Sequence, residues 1–215
     1  MQKKWIFLDI DNCLYNGLNP DGSFTEYKKN MRGADEQWAV SLTNDLEGLR
    51  EYRKSHKDQM GMDHALLEFI SLKTGKHYGV AELAAHRNGP HGYQPEKYLQ
   101  TDPGLVNCLA ELLQSGYGLA AITDNPAGKR VLRVLGVTSE IIPDNLVFDS
   151  VRMGSLKNAE FFTKVLRILG ISPDQAVMCG DSQVSDIVPA TAAGMKGHLV
   201  SGRDELLQEL EKLLP

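Results

Sequence analysis

The chain has 215 residues, 42% hydrophobic and 24% charged, an ordinary globular composition with room for one generous domain or for a core carrying a smaller one. Its formal net charge of -5 offers no basic footprint for a nucleic-acid polymer, and no apolar run approaches the length of a membrane span. Cys13, Cys108 and Cys179 are odd in number and lack metal-ligand spacing, which favours free thiols in a reducing compartment. With a strand beginning almost at the N-terminus and no room for a signal peptide, the expectation is a cytoplasmic protein, monomeric or homodimeric.

The first predicted element is the apolar run Trp5, Ile6, Phe7 and Leu8, a buried parallel strand that leads directly into Asp9 and Asp11. If the strand period continues through them, both carboxylates point to the same side. The carboxyl ends of strands line the ligand crevice of an open α/β sheet, so the pair suits chemistry, as nucleophile and proton donor. Capping of backbone groups in a turn is an equally open reading of these two residues taken alone.

Residues 16–23, NGLNPDGS, read as a loop leaving the core. Over 30–85 the pattern is helical, with Trp38, Val40, Leu42, Leu46 and Leu49 marking one apolar set and Ala65, Leu66, Leu67, Phe69, Ile70 and Leu72 another, and with Asp63 as an N-cap. This helical insertion ends in HRNGPHG at 86–92, a loop whose His86, Arg87 and His91 are candidates for substrate contact or are simply solvated. From residue 101 the chain alternates helices with short apolar runs, the signature of a parallel sheet. Helices are predicted over 105–114, 126–135, 158–169 and 204–214, and strands over 119–123, 146–148, 176–179 and 198–200.

Three further places combine suitable residues with suitable positions. Thr123 ends a strand before a helix, where its hydroxyl and nearby backbone N–H groups can hold phosphate oxygens; a Thr finishing a strand, with Asp124 or Asn125 as a helix cap, is the alternative. Lys157 stands at a helix start, a poor place for a cation, although a solvated surface lysine is the commoner case. GDSQVSD at 180–186 puts Asp181 at a strand end and Asp186 five residues later. Magnesium takes oxygen ligands and retains water, so one or two carboxylates and a substrate phosphate suffice to hold it. Helix capping through Ser182 or Ser185 stays open for the same segment.

In this order, DIDNC at 9–13, the strand ending in Thr123, Lys157 before a helix and GDSQVSD at 180–186 make the chain resemble the haloacid dehalogenase superfamily of phosphohydrolases. The resemblance implies an α/β fold: a Rossmann-like parallel sheet flanked by helices over 1–15 and 99–215, with a helical cap inserted over 16–98. It implies a nucleophilic Asp9 that forms an aspartyl phosphate, and an Asp11 that protonates the leaving group and then activates water. Thr123 and Lys157 would hold the transferring phosphoryl group, with Asp124 and Asn125 beside them. Asp9, Asp181 and the backbone carbonyl of Asp11 would bind Mg2+, supported by Asp186. Cys13 departs from the superfamily's usual Thr, and Asn158 from its frequent Pro, which leaves Lys164 as a weaker substitute for Lys157.

Within the superfamily, DIDNCLY is similar to the opening of the pyrimidine 5'-nucleotidase-like branch, as is YRKSHKDQMGM at 52–62. Tyr52 would then stack on a base and Arg53 bind phosphate or a base edge; a packed Tyr and a solvated Arg remain the other reading. The expected activity is magnesium-dependent hydrolysis of a small phosphorylated metabolite, with a nucleoside monophosphate favoured. A sugar-phosphate phosphomutase and a non-catalytic binding protein of the same fold are the alternatives.

Overall fold

A computed structural model describes residues 3–16, 72, 95–97, 99–124, 128–150, 153 and 157–214. The chain divides into two compact units, Met1–Thr25 with Pro95–Pro215, and Glu26–Gln94. The helices expected over 30–85, the loop at 86–92, and Tyr52, Arg53, Arg87 and Asn125 lie outside the described residues.

Five parallel strands form one sheet among the described residues: β1 (Trp5–Asp9), β2 (Gly118–Thr123), β3 (Val147–Asp149), β4 (Ala176–Gly180) and β5 (Lys196–Leu199), in the order β3-β2-β1-β4-β5. The helices α1 (Pro103–Gln114), α2 (Gly128–Val134), α3 (Ala159–Leu169), α4 (Val188–Ala192) and α5 (Arg203–Glu211) accompany them. This is the Rossmann-like α/β arrangement expected from the sequence.

The apolar runs explain which strands are central. In β1 the residues after Trp5 are all buried, and β2 is buried throughout, because parallel strands in the middle of such a sheet are covered on both faces. At the edge, β5 is largely exposed and opens with Lys196, a charge that discourages pairing with another chain. Phe7, Ala120, Ile122 and Met178 from the sheet pack with Phe161, Phe162, Val165 and Leu166 of α3 in one core cluster. The adjacent rings of Phe161 and Phe162 meet edge to face, 5.5 Å between centroids.

Helix ends follow local chemistry. α1 begins two residues before the apolar pattern does, because Asp102 caps it by accepting from Leu105 N at 3.0 Å and Pro103 suits its first position. α3 is capped by Asn158, whose Oδ1 accepts from Phe161 N at 2.9 Å, and it is stopped by Gly170 in the left-handed region at φ 66°. Asn158 is therefore a functional replacement at its position in helix terms: it starts the helix that follows Lys157.

The strand order creates the site. The chain lays β1, β2 and β3 outward in one direction, then returns to place β4 on the other side of β1. Leu8 is in register with Cys179, so the carboxyl ends of β1 and β4 lie side by side at the switch point, where open sheets bind ligands.

Candidate functional site

β1 ends at Asp9, and Asp11 lies beyond it in a turn. The strand period therefore does not orient Asp11. The turn does, and it bends at Asn12, the one described non-glycine residue with positive φ, 59°. Asn tolerates this left-handed conformation better than most side chains. Past the turn, the Asp11 carboxylate accepts from Tyr15 Oη on one oxygen and from Thr123 Oγ1, at 3.5 Å, on the other.

Lys157, immediately before the cap of α3, is 5% exposed. Its ammonium donates to Asp9 Oδ1 at 2.6 Å and to Asp186 Oδ1 at 2.5 Å. The helix start does not favour a cation there, but two buried carboxylates do, and the solvated-lysine reading is set aside. Lys164 lies within α3, away from this role in the sequence of the helix.

Asp186 is fully buried because the chain after β4 coils into an unusually wide turn, Gln183–Ile187, with i to i+5 hydrogen bonding from Ile187 N to Ser182 O at 3.2 Å. Pro189 has no N–H to give the carbonyl of Ser185, so a regular α-helical ladder cannot run through this stretch. Ser182 closes the turn at both ends: its Oγ accepts from Ser185 N at 3.1 Å, and its N–H donates to Asp186 Oδ2 at 3.0 Å. Gly180 makes room, since a Cβ there would stand 2.5 Å from Asp186 Oδ2.

Asp181 completes the group. One oxygen each from Asp9, Asp181 and Asp186 lie within 4.8 Å of one another. Hard carboxylate oxygens at the mouth of a sheet are the donors that Mg2+ prefers, so the residues present fit that ion. Asp11 contributes no side-chain oxygen to this trio. Asn12 Nδ2 donates to Asp181 Oδ2 at 2.8 Å across 169 positions of sequence. That contact was not anticipated from the sequence; the available signal was an Asn between Asp11 and Cys13, where a tight turn demands a residue that accepts positive φ.

The electrostatics are lopsided. Among the described residues, four carboxylates, Asp9, Asp11, Asp181 and Asp186, face one ammonium, that of Lys157. Burial pushes the Asp9 carboxyl well up from its ordinary value; Lys157 pulls it down, and the Asp186 and Asp11 charges add to the rise. Burial alone would lower Lys157, but Asp9, Asp186 and Asp124 outweigh it and hold the ammonium protonated. This excess of negative charge over Lys157 among the described residues favours a further cation.

Thr123 is buried at the end of β2, and Asp124 follows it, accepting from Ser150 Oγ. Cys13, which stands where the superfamily usually has Thr, still donates, its Sγ lying 3.7 Å from the carbonyl of Cys179. The structure thus brings together Asp9, Asp11, Thr123, Lys157, Asp181 and Asp186.

A haloacid dehalogenase-like hydrolase family profile matches residues 3–194. The glyceraldehyde 3-phosphate phosphatase of Pyrococcus furiosus is 28% identical over 196 residues, covering 90% of this chain and 78% of that protein. The protein of the same name from Methanopyrus kandleri is 29% identical over 199 residues, covering 89% of this chain and 81% of that one. Among solved structures, the putative HAD-hydrolase YfnB from Bacillus subtilis, bound to magnesium, superposes with a TM-score of 0.63 at 17% identity, covering 98% of this chain and 100% of that one. That likeness speaks to the fold, and the match of the family across nearly the whole chain speaks to its chemistry. The chain belongs to the haloacid dehalogenase-like hydrolases.

Proposed function

We propose that this protein is a magnesium-dependent phosphatase that cleaves a small-metabolite phosphomonoester through an aspartyl phosphate on Asp9, with a nucleoside monophosphate as the favoured substrate. The observation that carries the reading is the buried Lys157 ammonium shared between Asp9 and Asp186, in a group of carboxylates at the ends of β1 and β4. Asp9, Asp181 and Asp186 would hold magnesium, with the Asp11 backbone carbonyl. Bound there, the ion supplies the positive charge that lets an anionic carboxylate approach a phosphate dianion.

The residues divide the work as follows. An Asp9 oxygen attacks phosphorus, the bond from phosphorus to the substrate oxygen breaks, and Asp11 gives its carboxyl proton to the departing alcohol. Asp11, now ionised, takes a proton from water; the hydroxide attacks phosphorus, and Asp9 leaves with its electron pair. Inorganic phosphate is released and both carboxyl groups return to their starting states. Tyr15 and Thr123 donate to the two Asp11 oxygens and fix the direction of that carboxyl group between the two steps. Lys157 stays protonated and balances charge on Asp9 as the phosphoryl group moves. Thr123 ends β2 and Asp124 follows it, at the end of the sheet where a phosphoryl group would lie, and Asn125, next in sequence, is assigned to the same role.

Substrate choice is assigned to the insertion over 16–98, with Tyr52, Arg53 and Arg87 as its contacts. The nucleotide reading rests on DIDNCLY and YRKSHKDQMGM. A second reading, a three-carbon sugar phosphate, is favoured by the curated relatives, which are named glyceraldehyde 3-phosphate phosphatase. The test is phosphate release from a panel of nucleoside monophosphates and short sugar phosphates, with magnesium and with chelator, for the wild type and Asp9→Asn. Magnesium-dependent release that is lost in the variant supports the mechanism. Preference for pyrimidine monophosphates supports the first substrate reading and preference for glyceraldehyde 3-phosphate the second. Release that survives in chelator or in Asp9→Asn overturns the mechanism.

A further inference from the structure

The turn after β1 needs a residue at position 12 that accepts φ 59°. Glycine meets that need at least as well, since it has no Cβ to clash in the left-handed region. The residue present is Asn, and its amide reaches the Asp181 carboxylate at 2.8 Å. Backbone conformation alone does not account for the side chain.

We infer that Asn12 is a positioning residue for metal binding: its amide fixes the Asp181 carboxylate in the orientation in which it joins Asp9 and Asp186. Asp181 follows the last residue of β4 and is only partly buried. A donor held on one of its oxygens helps to fix its rotation before the ion arrives, which lowers the ordering cost of binding. The donor is also neutral. A cation at position 12 would neutralise Asp181 and repel a divalent ion, as Lys157 already neutralises part of Asp9 and Asp186. An amide orients without competing, so one end of the trio is held by charge and the other by a dipole.

This inference rests on reading Asp9, Asp181 and Asp186 as the magnesium site. The test is calorimetric titration of the metal-free protein with Mg2+ for wild type, Asn12→Gly, Asn12→Ala and Asp181→Asn, with Tm in chelator as the check on folding. Gly keeps the backbone and deletes the amide; Ala deletes the amide and adds strain. The expected result is magnesium affinity weakened about tenfold in Asn12→Gly and at least as much in Asn12→Ala, with kcat restored in Asn12→Gly as magnesium is raised. Wild-type affinity in Asn12→Gly overturns the inference, and if Asn12→Ala alone is weak, position 12 serves the backbone only. No magnesium binding by the wild type, or unchanged binding in Asp181→Asn, overturns the metal-site reading instead.

Discussion

Two ion-pair clusters in this molecule obey opposite rules. At the starts of α1 and α5, Arg203 forks onto Asp102 with both contacts at 2.7 Å and reaches Asp204 at 2.8 Å, while its backbone N–H donates to Asn16 Oδ1. Arg203 and Asp102 are about three-quarters buried, at 25% and 22% exposure; planar groups are matched in shape, and water screens the rest. At the ends of β1 and β4, Lys157, Asp9 and Asp186 are nearly or fully buried, and the carboxylates outnumber the cation. A cluster that serves stability leaves its surplus charge in water: Asp204, the second carboxylate on Arg203, is 71% exposed. A cluster that holds charge in excess, out of water, is kept for what it binds.

The contrast is broken most severely by Asp9→Asn, which separates activity from stability. Turnover should fall by at least about a thousandfold, since the nucleophile is gone. Thermal stability in chelator should stay level or rise at pH 8: burial and neighbouring carboxylates raise the folded-state pKa of Asp9, so its ionised form costs stability above that value. Asn still accepts from Lys157 without that cost. A Tm well below wild type would contradict the account of the cluster as charge-strained.

Lys157→Met should damage both properties. Removing the cation leaves Asp9 and Asp186 buried without it, at an expected cost of about 3 to 5 kcal/mol at neutral pH, along with loss of turnover. The raised carboxyl pKa sets the sign of the pH dependence. The loss should be largest where Asp9 is ionised and should shrink as pH falls through its raised range, which denaturant titration at several pH values reads directly.

Gly180→Ala tests geometry with no change of charge. The new Cβ would lie 2.5 to 2.6 Å from the Asp186 carboxylate, so Asp186 must move. A displacement of this kind should reduce kcat/KM about a hundredfold and weaken magnesium binding in the same titration. Unchanged kinetics would mean that Asp186 has no exacting position.

The smallest effect is expected at the matched cluster. Arg203 hydrogen bonding, opposed by partial burial and aided by the Leu105 and Gly104 N–H groups, holds the Asp102 carboxyl below its usual range. Its stabilisation is therefore present above the ordinary carboxylate pKa and is lost as pH falls through the depressed one. Asp102→Asn should lower Tm by about 2 to 4 °C, on the order of 1 kcal/mol for a cap and a screened ion pair, and flatten that acid limb. Turnover should not change.

Much of this was legible in the primary structure for identifiable reasons. Central parallel strands bury both faces, so β1 and β2 stand out as unbroken apolar runs, whereas the start of α1 at Pro103 is set by the Asp102 cap, which the apolar pattern beginning at Leu105 did not show. The wide turn at Gln183–Ile187 was not legible: a single GDSQVSD stretch is compatible with an ordinary helix start, and the change of register depends on Pro189 and on Asp186 being drawn beneath Gly180. Lys157 was a suspect by position, but its burial could not be read from a residue type that is usually solvated.

Sequence by itself determined the alternation of strands and helices, the order of the four motifs and the identity of the acidic residues, because these depend on local periodicity and on side-chain chemistry. Tertiary structure alone decided which groups meet. The return of β4 beside β1 sets Asp9, Asp181 and Asp186 within reach of one ion, and Lys157 and Asn12 find their carboxylates across 148 and 169 positions of chain. Such distances carry no periodic signal. They are fixed by strand register and by burial, which act only once the sheet has closed around its core.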